Sequence, residues 1–122
     1  MNIKYDIALT REERHDLFIT ALEGGIDYWS RRGAVKTSGG DIQTVLYINK
    51  DDAEDYEVNP SFLVEGTVNK IEIDDWVMQL GLDRLVKSPY QHHVTDVIND
   101  NADATTADVI VQMALFGDIV YG

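Results

Sequence analysis

The segment from Gly24 to Arg32 combines the side chains best suited to binding chemistry: two glycines, two aromatic residues and two arginines. Glycines let a backbone approach a partner closely, and aromatic rings offer flat surfaces for stacking. Arginine presents a planar fork of donors that suits phosphate. The combination predicts a site for a nucleotide-like ligand. The predicted ligand-binding residues are Gly24, Gly25, Tyr28, Trp29, Arg31 and Arg32.

The same segment also has a purely structural interpretation. Gly24 and Gly25 can end a helix, with Gly24 in the left-handed conformation that helix ends favour. Tyr28 and Trp29 point to opposite faces of an extended strand, so one of the two rings is expected in the core. The two arginines then only balance an acidic surface.

Other groupings of reactive side chains do not meet the requirements of known sites. His92 and Asp96 share a helix face, but two ligands do not close a zinc site. The loop 51–57 has Tyr56 where a calcium loop requires glycine. No phosphate-binding glycine loop and no G-x-S-x-G elbow is present. We therefore predict no metal, no cofactor and no catalytic residue, and a binding protein rather than an enzyme.

Composition restricts the class of protein further. The 122 residues include 22 acidic and 10 basic side chains, so the net charge is −12. That charge repels nucleic acid and anionic lipid and can attract basic protein surfaces. The chain has no cysteine, which suits a cytoplasmic protein. We find no signal peptide and no apolar run of about 18 residues, and therefore expect no membrane span.

The first elements predicted to position the segment Gly24 to Arg32 lie within residues 1–23. Residues 1–9 alternate apolar and polar side chains, which predicts a short strand or an ordered arm. Thr10 and Glu13 then form a capping box. A helix over about 11–23 follows, with apolar residues at helical spacing.

A set of strands is predicted in the middle of the chain. Strand-like segments at 26–36 and 42–48 flank a turn at 37–41, which predicts a hairpin. An acidic loop at 50–57 follows. A further strand is expected within 62–73.

Helices are predicted for the C-terminal half. Asp74 or Asp75 can cap a helix over about 75–87, and a less regular helix follows at about 90–99. Thr105 or Thr106 can cap a last helix that is apolar nearly all round and ends at Gly117. Together the elements predict one domain, residues 1–122, of the α+β class: an antiparallel sheet of two to four strands packed with three to four helices.

Two segments resemble a known group of proteins. Residues 20–29 read Thr-Ala-Leu-Glu-Gly-Gly-Ile-Asp-Tyr-Trp, and residues 107–122 end in Leu-Phe-Gly-Asp-Ile-Val-Tyr-Gly. Both are similar to patterns in a family of small uncharacterised bacteriophage proteins, mostly of phages that infect actinobacteria. The resemblance implies a phage genome as the source and the cytoplasm of an infected bacterial host as the location. The family has no assigned activity, so the resemblance transfers no catalytic residue.

The resemblance and the segment 24–32 together suggest an anti-defence protein that sequesters a nucleotide-derived immune signal without cleaving it. In this hypothesis one of the two aromatic rings stacks on a base, and one of the two arginines contacts phosphate. The expected partner is then a nucleotide-like small molecule, with no direct nucleic acid and no membrane.

An alternative hypothesis is an acidic inhibitor or DNA mimic. Its acidic loop would block the basic groove of a host nucleic-acid-binding protein, and the partner would be a host defence protein. The sequence does not decide between a monomer and a homo-oligomer. The acidic residues concerned are Asp51, Asp52, Glu54 and Asp55.

Overall fold

A computed structural model of the chain describes residues 7–38, 41–49 and 57–122. Within these ranges, four α-helices and a three-stranded antiparallel sheet confirm the predicted α+β class. The strands are adjacent in the order β1-β2-β3. The elements are α1 (Arg11–Thr20), β1 (Ser30–Ser38), β2 (Asp41–Ile48), β3 (Lys70–Asp74), α2 (Trp76–Val86), α3 (Gln91–Ile98) and α4 (Ala104–Phe116).

Helix α1 begins at the predicted capping box. The Thr10 hydroxyl accepts the N–H of Glu13, and the Glu13 carboxylate accepts the N–H of Thr10. This pairing satisfies two N–H groups that a helix start leaves without partners. The preceding arm is held by Gln79, whose side chain accepts the N–H of Leu9 and donates to the carbonyl of Ile7. Residues 1–6 of the predicted arm lie outside the described residues.

Helix α1 continues directly into one π turn, Ala21–Gly25. The prediction of a left-handed Gly24 is wrong, because Gly24 does not have a positive φ. Gly25 is the glycine that close packing requires: a Cβ there would lie 2.8 Å from the carbonyl oxygen of Ala104. Gly25 therefore allows the end of the first helical segment to pack against the start of α4.

The sheet starts later than predicted. Residues 26–29 form a turn rather than a strand, since the Ile26 carbonyl accepts the N–H groups of Trp29 and Ser30. Strand β1 then pairs with β2, with an irregularity in register between Arg32 and Val35 that is typical of a β-bulge. The final strand, β3, lies at the end of the predicted range 62–73 and extends one residue beyond it, to Asp74.

A segment before β3 runs along its outer edge. Leu63 forms an isolated bridge with Ile71, and the N–H of Val64 donates to the carbonyl of Lys70. Gly66 has a φ of 79° and allows the turn between this segment and β3. Of the predicted acidic loop 50–57, all but the last residue lies outside the described residues.

The helical half follows the prediction except at its caps. Of the two candidate caps for α2, Asp74 provides the bond, with its Oδ1 2.9 Å from the N–H nitrogen of Trp76. Helix α4 is capped by Asp103, whose Oδ1 accepts the N–H of Thr106. The predicted caps, Thr105 and Thr106, lie inside the helix. Gly117 ends α4 with a φ of 74°, as the sequence indicates.

Helix α4 lies at the centre of the core, and all of its residues from Thr106 to Leu115 are buried. Helix α2 crosses it so closely at Gly81 that a Cβ would overlap the carbonyl oxygen of Ile110. Within the described ranges, no helix combines the length and apolar character needed to cross a bilayer. Four side chains of the sheet belong to the same hydrophobic core as α4: Leu46, Ile48, Ile71 and Ile73.

Candidate ligand-binding site

Trp29 is fully buried. Its ring stacks on Tyr121, with centroids 5.3 Å apart and planes inclined by 6°. Its edge contact with Phe116 has a centroid distance of 5.6 Å. The indole N–H donates to Oδ1 of Asp108 at 2.7 Å. Of the two rings that the sequence offers for stacking, Trp29 is therefore the core residue, and its faces are already covered.

Tyr28 is the exposed ring, with 53% of its surface accessible. Its hydroxyl donates to Oδ2 of Asp108 at 2.5 Å, and Nε2 of Gln112 lies 3.4 Å from the same hydroxyl oxygen. Burial of the hydroxyl end, followed by the hydrogen bond to Asp108, raises the pKa of Tyr28 to about 12. The hydroxyl thus remains protonated at neutral pH, and the ring is anchored at one end while its surface faces solvent.

Two polar residues of α4 organise this arrangement. Asp108 and Gln112 are one turn apart, and Nε2 of Gln112 donates to Oδ1 of Asp108 at 2.9 Å. Oε1 of Gln112 accepts the N–H groups of Val120 and Tyr121, both at 2.8 Å. Neither polar residue was predicted as a site residue. The signal in the sequence is a polar pair within an otherwise apolar helix, because buried polar groups require partners.

A cavity of about 400 Å³ opens beside the Tyr28 ring. Its walls are the glycine pair Gly24 and Gly25, the first residues of α4, His93 of α3 and part of the segment 119–122. Gly24 is exposed, and no heavy atom lies within 4 Å of the position that a Cβ would take. The glycine wall therefore leaves room for a ligand to approach the backbone.

His93 is a further wall residue that the sequence does not predict. Its Nδ1 is buried and has no hydrogen-bond partner within the described parts of the chain. Burial, followed by repulsion from His92, lowers the pKa of His93 below its ordinary value. The lowered pKa favours the neutral imidazole. No group of three or more metal-binding side chains occurs within residues 7–38, 41–49 and 57–122.

Arg31 and Arg32 are exposed on β1 and face opposite sides of the sheet. Arg31 is paired with Tyr47, and its guanidinium carbon lies 4.9 Å from the centre of that ring. Arg32 is paired with the buried Leu46. Among the described residues, no carboxylate lies within ion-pair distance of either arginine.

The predicted site is therefore divided between two cavities. Gly24, Gly25 and Tyr28 line the first, whereas Arg31 and Arg32 line a second cavity of about 380 Å³. The turn at 26–29 separates the two. The second cavity also includes the acidic residues Glu23 and Asp27, which makes its charge mixed.

Segments 20–29 and 107–122 meet in the fold although they lie far apart in the sequence. Segment 20–29 supplies the glycine pair and both aromatic rings. Segment 107–122 supplies Asp108 and Gln112, which bind the polar groups of those rings, and Tyr121, which stacks on Trp29. The residues of both patterns therefore build one unit around the first cavity.

No protein-family model matches the chain, and neither a curated protein nor a solved structure matches it. The function of the cavity is therefore inferred from the chemistry of its own residues.

Proposed function

We propose that the chain is a phage-encoded anti-defence protein that sequesters a nucleotide-derived signal without catalysis, and that the ligand stacks on Tyr28 beside Gly24 and Gly25. One observation carries the proposal: the Tyr28 ring is 53% exposed at a cavity, yet its hydroxyl is held by the buried Asp108. An exposed ring that is already immobilised loses little conformational entropy when a flat base stacks on it.

The size of the cavity and the energy of stacking support a ligand of this class. Small-molecule sites occupy roughly 300–1,000 Å³, and the cavity beside Tyr28 measures about 400 Å³. Stacking on an aromatic side chain contributes about 1–3 kcal/mol per base. The open backbone at Gly24 allows a planar group to lie close to the chain.

The arginines of the neighbouring cavity supply the charge that a phosphate needs. Arg31 and Arg32 are exposed and bind no described carboxylate, so their guanidinium groups are free to donate to phosphate oxygens. In the proposed complex, the base lies on Tyr28 and a phosphate reaches around the turn at 26–29. Arg32 is the better placed of the two, because Arg31 lies over Tyr47.

The protonation of the site favours binding over acid–base catalysis. A general base works best with a pKa near the operating pH, whereas Tyr28 has a pKa of about 12. Asp108 already accepts hydrogen bonds from Tyr28, Trp29 and Gln112. These groups are suited to holding a ring in place.

The experiment is a search for the ligand, followed by titration. Protein purified from bacteria with an active immune response is analysed by mass spectrometry for retained small molecules. Cyclic and linear nucleotides are then titrated by calorimetry. We expect a retained nucleotide that is lost in Tyr28→Ala and weakened in Arg32→Ala.

The matched control for the arginine is Lys87→Ala, which removes an exposed cation at the end of α2 and should leave binding unchanged. If nothing is retained and no nucleotide gives heat or a shift in melting temperature, the proposal is wrong.

The net charge favours a second candidate function, an acidic inhibitor or DNA mimic of a host nucleic-acid-binding protein. Two cations serve internal contacts: Arg14 binds Asp75, and Arg84 donates to backbone carbonyls of α4. The buried Arg14–Asp75 pair removes one charge of each sign, so the remaining surface keeps a strongly acidic balance. The proposed acidic residues Asp51, Asp52, Glu54 and Asp55 lie outside the described residues.

A pull-down from host lysate at rising salt distinguishes this candidate from nucleotide binding. The partner of a mimic elutes steeply with salt, since the contact is electrostatic. Replacing the four acidic residues at 51–55 by their amides should abolish capture. Capture that survives the replacement would rule out the acidic loop as the binding element.

A further inference from the structure

Strand β1 is an edge strand. Within the described chain it pairs with β2 and with no other strand. The opposite edge of the sheet is partly occupied, because the segment before β3 bridges to Ile71 and accepts the N–H of Glu72. The other edge of β1, which is free among the described residues, presents backbone N–H and C=O groups that an added strand can pair with.

This strand is a basic element in an acidic protein. Its nine residues include Arg31, Arg32 and Lys36 and no acidic residue, whereas the whole chain has a net charge of −12. All three cations are exposed. Across the described ranges, none of them lies within ion-pair distance of a carboxylate. Val35, with 47% of its surface exposed, adds an apolar contact at the same edge.

Pairing with β2 assigns these side chains to two faces. Arg31 and Lys36 are opposite Tyr47 and Gln43 on the outer face, and Val35 is opposite the buried Thr44 on the inner face. A strand added to β1 would alternate in the same way. Carboxylates on its outer face would meet the two cations, and apolar side chains on its inner face would lie beside Val35.

Other occupants fit this edge less well. Two copies of β1 paired with each other would place cations against cations, which is unfavourable. Single-stranded nucleic acid has no backbone ladder to pair with a strand, and the net charge of −12 repels a polyanion. Cations and a bulge also protect an edge from self-association, which is compatible with recognition of an oppositely charged strand.

We propose that the free edge of β1 is a docking site for an extended acidic segment of a partner protein, which adds to the sheet as a fourth strand. The backbone groups of β1 provide the affinity. The side chains of Arg31, Lys36 and Val35 provide the specificity for an acidic segment that also carries apolar residues. This site does not overlap the Tyr28 cavity, which none of Arg31, Val35 and Lys36 lines, and it shares only Arg31 with the second cavity.

The test uses a labelled peptide of alternating glutamate and valine, with fluorescence anisotropy as the readout and NMR to locate the perturbed amides. We expect saturable binding and shifts confined to β1 and its neighbours. Lys36→Glu should weaken binding about tenfold or more, the scale expected for loss of a close charge pair. Lys87→Glu, at the exposed residue that follows α2, is the matched control and should change affinity little.

Two further probes separate strand addition from simple charge attraction. A backbone N-methylated version of the peptide should fail to bind, because it cannot complete the ladder, and a lysine–valine peptide should also fail. No binding of the glutamate–valine peptide, or equal binding of the methylated one, would overturn the proposal. Stronger binding of oligothymidylate at the same amides would assign the edge to nucleic acid instead. Tyr28→Ala should leave peptide binding intact, and Lys36→Glu should leave nucleotide binding intact.

Discussion

Asp108 is the residue on which the candidate site depends most. It is a buried carboxylate within an apolar helix, and it accepts hydrogen bonds from residues 79 and 80 positions earlier in the chain. Charge-assisted hydrogen bonds to a buried carboxylate offset the loss of its hydration. A helical pattern cannot show these partners, because periodicity records only which face of a helix is apolar.

The ionisation of Tyr28 tests the contact with Asp108. Spectrophotometric titration should give one tyrosine with a pKa of about 12, and Asp108→Asn should bring it back toward 10.0, the ordinary value. Because the pKa is raised on folding, the contribution of Tyr28 to stability is complete below pH 10 and is lost as pH rises through about 12. A Tyr28 that titrates like an exposed phenol in the unchanged protein would contradict the hydrogen bond.

The glycine pair gives a matched test of close packing. Gly25→Ala should destabilise the protein by about 1–3 kcal/mol, because the new Cβ would press on the carbonyl of Ala104. Gly24→Ala should change stability by less than about 1 kcal/mol, since its surroundings are empty and its φ is not positive. Urea denaturation measures both. Equal effects of the two substitutions would mean that the helix ends are not packed together at Gly25.

At the scale of elements, local capping signals are the part of the fold that sequence predicts best. Thr10 and Glu13 form the expected capping box, and Gly117 ends α4 in the expected conformation. The cap of α4 is mispredicted because Asp103, Thr105 and Thr106 are all acceptable cap residues within one turn. Only the packing of α4 in the core decides which of them stands at the helix start.

The cap of α4 can be tested directly. Asp103→Ala should cost about 1 kcal/mol of stability, the usual size of an N-cap, while Thr105→Ala on the exposed first turn should have a smaller effect. Hydrogen bonds from the backbone N–H of Thr106 lower the pKa of Asp103. Its contribution is therefore present above the ordinary carboxyl pKa and is lost as pH falls through the lower folded value. Equal stabilities of the two variants across this pH range would contradict the assignment.

Gln112 connects α4 to the segment that follows it. In Gln112→Leu the N–H groups of Val120 and Tyr121 lose their acceptor, so their amide hydrogens should exchange faster and the protein should lose about 1–3 kcal/mol. Hydrogen exchange followed by NMR measures the first effect, and urea denaturation measures the second. Gln43→Leu, at an exposed position of β2, is the control. Unchanged protection of Val120 and Tyr121 would show that other contacts hold the segment.

At the scale of the whole molecule, the fold class follows from the sequence, but the grouping of the site residues does not. Helical and alternating periodicities predict three to four helices and an antiparallel sheet of two to four strands. Neighbours in sequence share a cavity only if the backbone between them has the right conformation. Here residues 26–29 form a turn, and β1 begins at Ser30. That change buries Trp29, exposes Tyr28 and moves both arginines to a second cavity.

The positive charges are also distributed unevenly over the molecule. The chain is acidic overall, but three of the five exposed cations among the described residues, Arg31, Arg32 and Lys36, lie on β1. A phosphate or a carboxylate approaching the molecule meets a favourable surface at this strand and an unfavourable one across most of the rest. Both proposals use cations of this strand, Arg32 for a phosphate and Arg31 with Lys36 for an acidic strand.

The most direct test of the central claim is the affinity of one nucleotide for three forms of the protein. Calorimetric titration compares the unchanged protein, Tyr28→Phe and Tyr28→Ala, with circular dichroism as the check on folding. If the ring stacks on a base, Tyr28→Phe should retain most of the affinity, because it removes only the hydroxyl. Tyr28→Ala should lose about 1–3 kcal/mol of binding free energy. A folded Tyr28→Ala protein that binds the nucleotide as tightly as the unchanged protein would contradict the account.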